Sequence, residues 1–407
     1  MEAEVIAVGS ELLLGQIVDT NSAVIARQFA GIGLNLFYKT TVGDNLGRAV
    51  AVIRQALERS DVVVTTGGIG PTADDITREA VAEATGRELV FSDELMKQIE
   101  AYFASRGFAR LTASNRRQAY LPEGAIPVEN PVGTAPAFIV EYHGKTVITL
   151  PGVPREMEHL LVTRAIPYLR ERYGIKGEIR LRVLKVVGLG ESRIGERLVD
   201  FMEQGRNPTI GTLAHVGQVD VRIAAKGLDR EDAERLIAPV EAEIRARLGE
   251  AVFGAGHDTL ESVIAGRLTA AGARVAVVEV GAAGASTARL ASGLPERFAG
   301  SVVVESPASL AAYGLEVPAA GELLQRAETL AAAAARRAAV EVGAAIWFED
   351  VADSSPPLTG VAVAVSMRGA LSGQQSRIGG DPPSMRVRAA TLLLDEIRRA
   401  LPPAPRI

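Results

Sequence analysis

Residues 62–77 read VVVTTGGIGPTADDIT, and this stretch decides the fold of the first part of the chain. Its first five residues are apolar or β-branched, a composition typical of a buried strand. Glycines, a proline and two aspartates follow, and residues 77–84 (TREAVAEA) then have the composition of a helix. The stretch therefore predicts a strand, a loop and a helix in succession.

The loop of this unit has the features of a phosphate site. Its small residues allow a ligand to approach the backbone, and the free N–H groups at a helix start favour an anion. Residues 68–73 satisfy the loose pattern G-x-G-x-x-G/A, but Pro71 and the aspartates are foreign to a dinucleotide fingerprint and no Walker A lysine follows. Since Asp74 and Asp75 would repel a phosphate, they predict a divalent cation between the carboxylates and a phosphate or diphosphate.

A purely structural interpretation fits the same residues. Thr72 and Asp75 have the spacing of a capping box, and most aspartates at such positions only cap a helix. Taken alone, the segment leaves both interpretations open.

Composition bounds the class of protein. The chain has 407 residues, for which two or three domains are expected, and its 47% hydrophobic and 23% charged residues are typical of globular proteins. A net charge of −5 argues against attraction of the whole molecule to nucleic acid or an anionic membrane. Residues 1–5 (MEAEV) lack the basic start of a signal peptide, and no long apolar run follows, so we predict a cytoplasmic protein without a membrane partner.

Residue types also limit the metal chemistry. The chain has no cysteine, which excludes disulfides, thiolate metal sites and a cysteine nucleophile. The spacing of His143, His159, His215 and His257 is not that of zinc ligands. Any metal would therefore have oxygen ligands, which favours magnesium or a similar divalent ion held by Asp or Glu.

Strands and helices alternate in the first domain, with predicted elements at residues 4–8, 22–30, 35–42 and 46–59 before the central strand. Such alternation predicts a parallel sheet with helices on both faces, in which ligands bind beyond the carboxyl ends of the strands. Glu11, Asp44 and the loop 67–75 would all lie at that edge. The later loops at 115–118 and 130–136 are rich in Asn, Pro and Gly and are first of all turns.

Two further segments follow. Residues 177–253 predict a compact α+β unit whose Gly188-Leu189-Gly190 turn faintly resembles the glycine loop of a KH module, but it carries an acid, Glu191, where RNA binding would need bases. A structural or dimerising role is favoured. Residues 252–258 predict a boundary, and 258–407 predict a second α/β domain with a helix from about Ala320 to Glu341.

With these segments in place, the chain resembles the CinA family, which is named for competence and damage inducibility. The motifs that carry the resemblance lie at residues 9–15 (GSELLLG), 19–21 (DTN), 66–75 (TGGIGPTADD), 115–116 (NR), 130 (N), 133–136 (GTAP) and 150–154 (LPGVP). The resemblance implies an α/β protein with a three-layer molybdopterin-binding-like domain over 1–170, a small α+β, KH-like domain over 177–253 and an α/β amidase-like domain over 258–407.

The resemblance further implies metal-dependent hydrolysis of ADP-ribose to AMP and ribose 5-phosphate, which agrees with the metal-bridged diphosphate inferred from the loop. We expect Asp44, Asp74 and Asp75 to be catalytic, with Asp44 and Asp75 holding Mg, Mn or Co; which carboxylate is the general base stays open. The residues expected to bind substrate are Glu11, Gly67, Gly68, Gly70, Thr72, Asn115, Arg116, Gly133 and Thr134.

In many members of this family the last domain deamidates nicotinamide mononucleotide with the serine of a Glu-Ser-Cys-Thr-Gly-Gly loop. Residues 279–284 read EVGAAG here, so Val280 stands where the serine is expected. The expected tyrosine and lysine align with Val304 and Ser309, and residues 347–350 (WFED) replace a glycine-rich turn. Because a hydroxyl nucleophile needs an activating partner, we predict that this domain has lost deamidation.

Other functions stay open beside hydrolysis. A nucleotide-binding scaffold that senses ADP-ribose without turnover, or another competence-associated protein, is the main alternative. Adenylyl transfer in molybdopterin synthesis follows only from fold analogy. A homodimer is the default expectation for the assembly.

Overall fold

The computed structural model describes residues 1–106, 112–202, 206–316, 321–351 and 358–403. The chain divides into two units, one of residues 1–180 and 225–236 and one of residues 181–224 and 237–407. Within the described ranges, no helix has both the length and the apolar composition needed to cross a membrane.

The part of the first unit up to residue 173 is an α/β structure. Its strands are β1 Glu2–Val8, β2 Asn35–Val42, β3 Val62–Thr66, β4 Leu89–Phe91, β5 Tyr120–Pro122, β6 Ile126–Val128, β7 Ala137–Tyr142 and β8 Lys145–Leu150. Its helices are α1 Ser10–Leu13, α2 Asn21–Ala30, α3 Leu46–Arg59, α4 Thr77–Ala84, α5 Asp93–Ser105, α6 Pro154–Leu160 and α7 Ile166–Tyr173, with a 3-10 segment at Ala113–Ala119 and a π segment at Leu161–Ala165.

The main sheet of this unit is mixed, which corrects the prediction of a parallel sheet. Its order is β2-β1-β3-β8-β7-β6, and the first four strands are parallel while β7 and β6 are antiparallel to their neighbours. The reversal follows from the hairpin between β7 and β8, where His143 (φ 48°) and Gly144 (φ 81°) form a two-residue turn. Two successive positive φ values are the geometry that joins antiparallel strands.

Both faces of this sheet are covered by helices, as the three-layer prediction requires. Alternate residues of β1 and β3 point to opposite sides, so Val5 and Val64 pack with α2, α6 and α7, whereas Ile6 and Val63 pack with α3 and α4. The middle layer is thus buried on both sides. Functional groups can reach solvent at the strand ends, where the loops emerge.

The remaining elements form two more sheets. The strands are β9 Glu178–Val187, β10 Thr209–His215, β11 Gln218–Gly227, β12 Val252–Ala255, β13 Val275–Val280, β14 Phe298–Val304, β15 Val342–Val351, β16 Leu358–Met367 and β17 Ala370–Gly379. The helices are α8 Glu191–Leu198, α9 Arg230–Leu248, α10 Leu260–Ala270, α11 Ala285–Gly293, α12 Leu323–Ala338 and α13 Pro382–Ala400, with 3-10 segments at Val199–Phe201, Gly249–Ala251 and Pro307–Tyr313. The sheet orders are β10-β11-β9-β12 and β14-β13-β15-β16-β17.

Three details differ from the sequence prediction. The expected boundary at 252–258 contains β12, which pairs with β9 and completes the four-stranded sheet. Strand β17 was not predicted, and β16 and β17 make the last sheet mixed. Helix α12 is shorter than the predicted helix, and the predicted start at Ala320 lies outside the described residues.

Candidate functional site

A cavity of about 440 Å³ opens at the carboxyl ends of β1, β2, β3 and β8. The topology predicts this place, because the loops after parallel strands emerge at one edge. The predicted site residues that line the cavity are Glu11, Asp44, Gly67, Gly68, Gly70, Thr72, Asp74, Asp75 and Thr134.

The loops after β1 and β2 are joined through Asp44. Its Oδ2 accepts a hydrogen bond from the Ser10 N–H (2.8 Å), and its own N–H donates to the Ser10 hydroxyl (3.2 Å). The carboxylate is half-buried at the first turn of α1. This reciprocal pair fixes Asp44 beside Glu11 at the edge of the cavity.

The loop after β3 begins with a residue that can only be glycine. Gly67 has φ 98°, and a Cβ there would overlap the carbonyl oxygen of Val8 in the neighbouring strand. Its N–H donates to the Leu150 carbonyl (3.1 Å), so the loop leaves the sheet only after this residue. The loop therefore starts in direct contact with the strands on both sides.

Helix α4 holds the carbonyl groups of this loop. Thr77 donates from Oγ1 to the Gly67 carbonyl (2.8 Å) and from its N–H to the Gly68 carbonyl (2.9 Å). The Arg78 guanidinium donates to the carbonyls of Ile69 and Gly70. Arg78 is only 2% exposed, and burial lowers its pKa to about 10. Arg78 is thus a buried cation dedicated to the loop backbone.

The second half of the loop is closed by Asp75. Its Oδ2 accepts from the Thr72 N–H (2.8 Å) and the Thr72 hydroxyl (2.5 Å). Helix α4 begins later, at Thr77, and has no side-chain cap, so the helix-capping interpretation of Asp75 is wrong. Arg117, which lies outside this turn, also stabilises it: its guanidinium donates to the Thr72 carbonyl (2.8 Å) and to the Glu79 carboxylate (2.9 Å).

Asp74 is exposed at the tip of this turn. Hydrogen bonding by the Thr72 side chain and by the backbone lowers the pKa of Asp74. The group is therefore ionised at neutral pH and adds a negative charge to the mouth of the cavity.

Glu156, in the first turn of α6, also lines the cavity, and the sequence analysis did not assign it. Burial raises the pKa of Glu156, although a hydrogen bond from Asn130 Nδ2 (2.6 Å) opposes the shift. A side chain at Gly133 would overlap this carboxyl group, which explains the glycine at that position. The sequence signal that could have identified Glu156 is its position as an acidic residue shortly after a buried strand whose carboxyl end lies at the same sheet edge.

Asn21, at the start of α2, is a second group that the sequence analysis left without a role. Its Nδ2 donates to Thr66 Oγ1 (3.0 Å) and to the Gly152 carbonyl (2.8 Å), while Thr66 Oγ1 donates to the Pro151 carbonyl (2.9 Å). These partners fix the orientation of the amide. The Asn21 Oδ1 is buried and has no partner in the described part of the chain, so the cavity wall contains an acceptor that nothing satisfies.

The structure does not bring Asn115, Arg116 or Gly133 to the cavity wall. The Asn115 side chain accepts from the Thr112 backbone (3.0 Å) and so stabilises the 3-10 segment. The Arg116 guanidinium lies 4.9 Å from the centre of the Phe91 ring. Gln118, one turn further on, is the residue of this segment that lines the cavity.

The second glycine-rich loop follows β13, at residues 281–284. Glu279 is fully buried, and its Oε1 accepts from the Ser286 hydroxyl (2.6 Å), the Thr287 N–H (2.5 Å) and the Thr287 hydroxyl (2.6 Å). Val280 is fully buried in the apolar cluster beside α12. The polar groups at the start of α11 are therefore bonded to the chain itself.

Comparison with known proteins agrees with the architecture. The model named "Probable molybdopterin binding domain" matches residues 4–171, and that of the damage-inducible protein CinA KH domain matches residues 181–254. The chain is 35% identical to a CinA-like protein from Kosmotoga olearia over 99% of this chain and 100% of that protein. It is 36% identical to a CinA-like protein from Dictyoglomus thermophilum over 98% and 99% of the two chains. A crystal structure of the protein CinA with unknown function from Thermoplasma acidophilum is 40% identical, covering 42% of this chain and 97% of that one, with a TM-score of 0.39.

Proposed function

The chain belongs to the CinA family, with a molybdopterin-binding-like N-terminal domain, a KH-like middle domain and a further α/β domain, and on that premise we propose that the N-terminal domain hydrolyses ADP-ribose to AMP and ribose 5-phosphate with a divalent cation. The observation that carries this proposal is one cavity in which backbone N–H donors lie beside several carboxylates. Donors suit the phosphate oxygens, and carboxylates suit a cation that bridges to them.

The donors come from the glycine loop. The N–H groups of Gly68, Ile69 and Gly70 have no acceptor within the described ranges, and all three residues line the cavity. Consecutive free N–H groups of this kind form an anion-binding concavity. A diphosphate is the group of ADP-ribose that matches it.

The carboxylates fit a hard divalent cation that the substrate completes. Asp44 and Asp75 each use Oδ2 for hydrogen bonds within the chain, and each keeps Oδ1 without a donor in the parts of the chain described. Magnesium is commonly held by one or two carboxylates together with substrate phosphates and water. When bound there, the cation would offset charge on the diphosphate and lower the pKa of a water molecule.

The rest of the cavity suits the nucleoside part of the substrate and contains a candidate general base. Leu12, Ile17 and Val18 give it an apolar side against which a nucleobase or a ribose can pack. We assign Glu156 as the general base, since it lines the cavity and burial raises its pKa above the ordinary value of a glutamate. The oxygen of a water molecule then bonds to one phosphorus, and its proton moves to Glu156. The bridging P–O bond breaks, and the other phosphate leaves as a monoester anion that keeps the bridging oxygen and the electron pair.

The test is product analysis of the full chain given ADP-ribose or nicotinamide mononucleotide, each with and without magnesium, manganese or cobalt. We expect AMP from the first substrate only with metal, and no amide cleavage of the second. Asp75→Asn keeps an acceptor for Thr72 but removes the charge, so kcat/KM is expected to fall about 10²–10³-fold. Exposed Asp93, replaced in Asp93→Asn, is the control and should behave as wild type.

Full activity in Asp75→Asn would remove this residue from the mechanism. Deamidation of the mononucleotide would contradict the expected loss in the C-terminal domain.

A binding scaffold without turnover is the second candidate, and one observation favours it. In the described residues, no group of three His, Asp or Glu side chains is close enough to hold a metal ion. A protein that binds ADP-ribose, with or without metal, and releases no AMP would support this candidate.

A further inference from the structure

The loop after β3 is turned so that its carbonyl groups and its N–H groups face opposite ways. Three successive carbonyls, those of Gly67, Gly68 and Ile69, accept hydrogen bonds from Thr77 and Arg78 at the start of α4. In a trans peptide, the C=O of one residue and the N–H of the next point in opposite directions. The N–H groups of Gly68, Ile69 and Gly70 therefore point away from Thr77 and Arg78.

The cavity wall contains the loop but not the two residues that hold its carbonyls. Thr77 and Arg78 are 0% and 2% exposed and do not line it, whereas Gly67 to Gly70 do. The carbonyl of Gly70 is also held by Arg78 (2.6 Å), and the next residue, Pro71, has no N–H. The donor row therefore ends at Gly70.

The same cavity contains a second, independent sign of a ligand. Asn21 is 9% exposed, both hydrogens of its amide group are used within the chain, and its Oδ1 is buried without a partner in the described ranges. A wall with free donors on one loop and an unsatisfied acceptor beside it suits a ligand that carries both an anion and a hydroxyl or amine group.

From these contacts we infer that Thr77 and Arg78 are positioning residues that turn the peptide planes of residues 67–70 and so create the N–H cradle for the diphosphate. The inference rests on the proposed function for the identity of the anion. Neither side chain touches the substrate. Thr77 sets the first two peptide planes through its hydroxyl and N–H, and the Arg78 fork sets the next two. Arginine suits this task because its planar fork can bind two carbonyls at once.

The experiment compares buried hydroxyls at the two ends of the same helix. Thr77→Val removes the donor to the Gly67 carbonyl, and Thr85→Val removes a buried donor to the Val81 carbonyl (2.7 Å) away from the cavity. Binding of pyrophosphate with excess magnesium is measured by calorimetry, well below the unfolding temperature of each variant. We expect Thr77→Val to weaken pyrophosphate about tenfold, as for the loss of one hydrogen bond, and Thr85→Val to leave its Kd within about twofold of wild type.

Arg78 is tested by partial rescue. Arg78→Met leaves two carbonyls without their donor and is expected to weaken pyrophosphate about 10–100-fold, while Arg78→Lys keeps one donor group and recovers part of that loss. With ADP-ribose, these variants should raise KM more than they lower kcat.

The outcomes separate this inference from the proposed function. If ADP-ribose is not cleaved but pyrophosphate binding follows the expected order of variants, the positioning role is supported and the proposed hydrolysis is wrong. If ADP-ribose is cleaved but Thr77→Val and Thr85→Val bind pyrophosphate equally, the positioning role is wrong and hydrolysis stands. Failure of the wild-type chain to bind pyrophosphate overturns the cradle itself.

Discussion

The loops after β3 and β13 look alike in sequence but differ in how the helix that follows each loop is bonded. Each follows a central strand of an α/β sheet, is rich in glycine and leads into a helix. After β3, side chains from the following helix bind the carbonyls, and residues whose N–H groups have no acceptor in the described ranges line a cavity. After β13, the buried carboxylate of Glu279 itself binds the N–H and hydroxyl groups at the start of α11.

This difference shows that glycine content alone does not make a ligand site. The start of a helix attracts an anion, and in the second loop the chain supplies that anion from its own strand. The neighbouring Val280 adds no reactive group and is fully buried. What differs between the two loops is the setting of the following helix: after β3 its first side chains hold the loop carbonyls beside a cavity, and after β13 a buried carboxylate holds its first polar groups.

The largest effect is expected from adding a methyl group to the first loop, and the same change in the second loop is its control. Gly67→Ala puts a Cβ onto the Val8 carbonyl at φ 98°, and we expect it to cost about 2–5 kcal/mol of unfolding free energy and to abolish hydrolysis. Gly284→Ala is the matched variant, since it also has positive φ (76°) but meets nothing within 4 Å. It should cost about 1–2 kcal/mol and leave hydrolysis intact.

Urea unfolding followed by far-UV circular dichroism, with AMP release measured in parallel, checks this pair. Equal costs at the two positions would contradict the difference in packing between the loops.

A smaller effect is expected from Glu156→Gln, which leaves the loop in place and removes the proposed general base. We expect kcat to fall about 10²-fold. Burial raises the pKa of Glu156 above the ordinary value of 4.5, and a base acts only when deprotonated. Wild-type hydrolysis should therefore decline as the pH falls through this raised pKa, and the variant should lack that limb of the pH profile. An unchanged acidic limb in the variant would assign the base to another carboxylate.

The smallest effect on catalysis is expected at the start of α11, directly after the second loop. Ser286→Ala removes one donor to the buried Glu279, which should cost about 1–3 kcal/mol of stability without any change in ADP-ribose hydrolysis. Trp347 is the single tryptophan of the chain and lies in β15 of the same sheet, so its fluorescence during urea unfolding reports this loss. A change in catalysis would show that the second loop is more than structural.

The sequence was most informative where a pattern is local. The run Val62 to Thr66 and the helix from Thr77 were predicted with their observed bounds, because β-branched residues and the following glycines mark both ends. The antiparallel β7 and β8 depend on a turn through His143 and Gly144, and a His-Gly pair is a weaker hairpin signal than Asn-Gly or Asp-Gly. Strand β17 likewise lacks a strongly apolar face and was missed.

The same limit applies to the site. Asp44 and Asp75 could be placed because each follows a strand at one sheet edge. The roles of Arg78, Glu156 and Asn21 depend on contacts that composition does not specify: which carbonyl a guanidinium reaches, how far a carboxyl is buried, and which amide hydrogens are used. Arg116 was expected to bind substrate from the family resemblance, yet its guanidinium lies over the Phe91 ring and Arg117 holds the loop instead.

The bridge made by Asn21 has a consequence for folding kinetics. Its amide joins Thr66 and Gly152, which are 45 and 131 residues away along the chain. Contacts that close such long loops form only after much chain entropy has been lost. When the unfolded chain is diluted from denaturant, the proposed nucleotide binding should therefore return late, after the helical circular dichroism signal has recovered. The rate at which binding returns would then report the last step of folding.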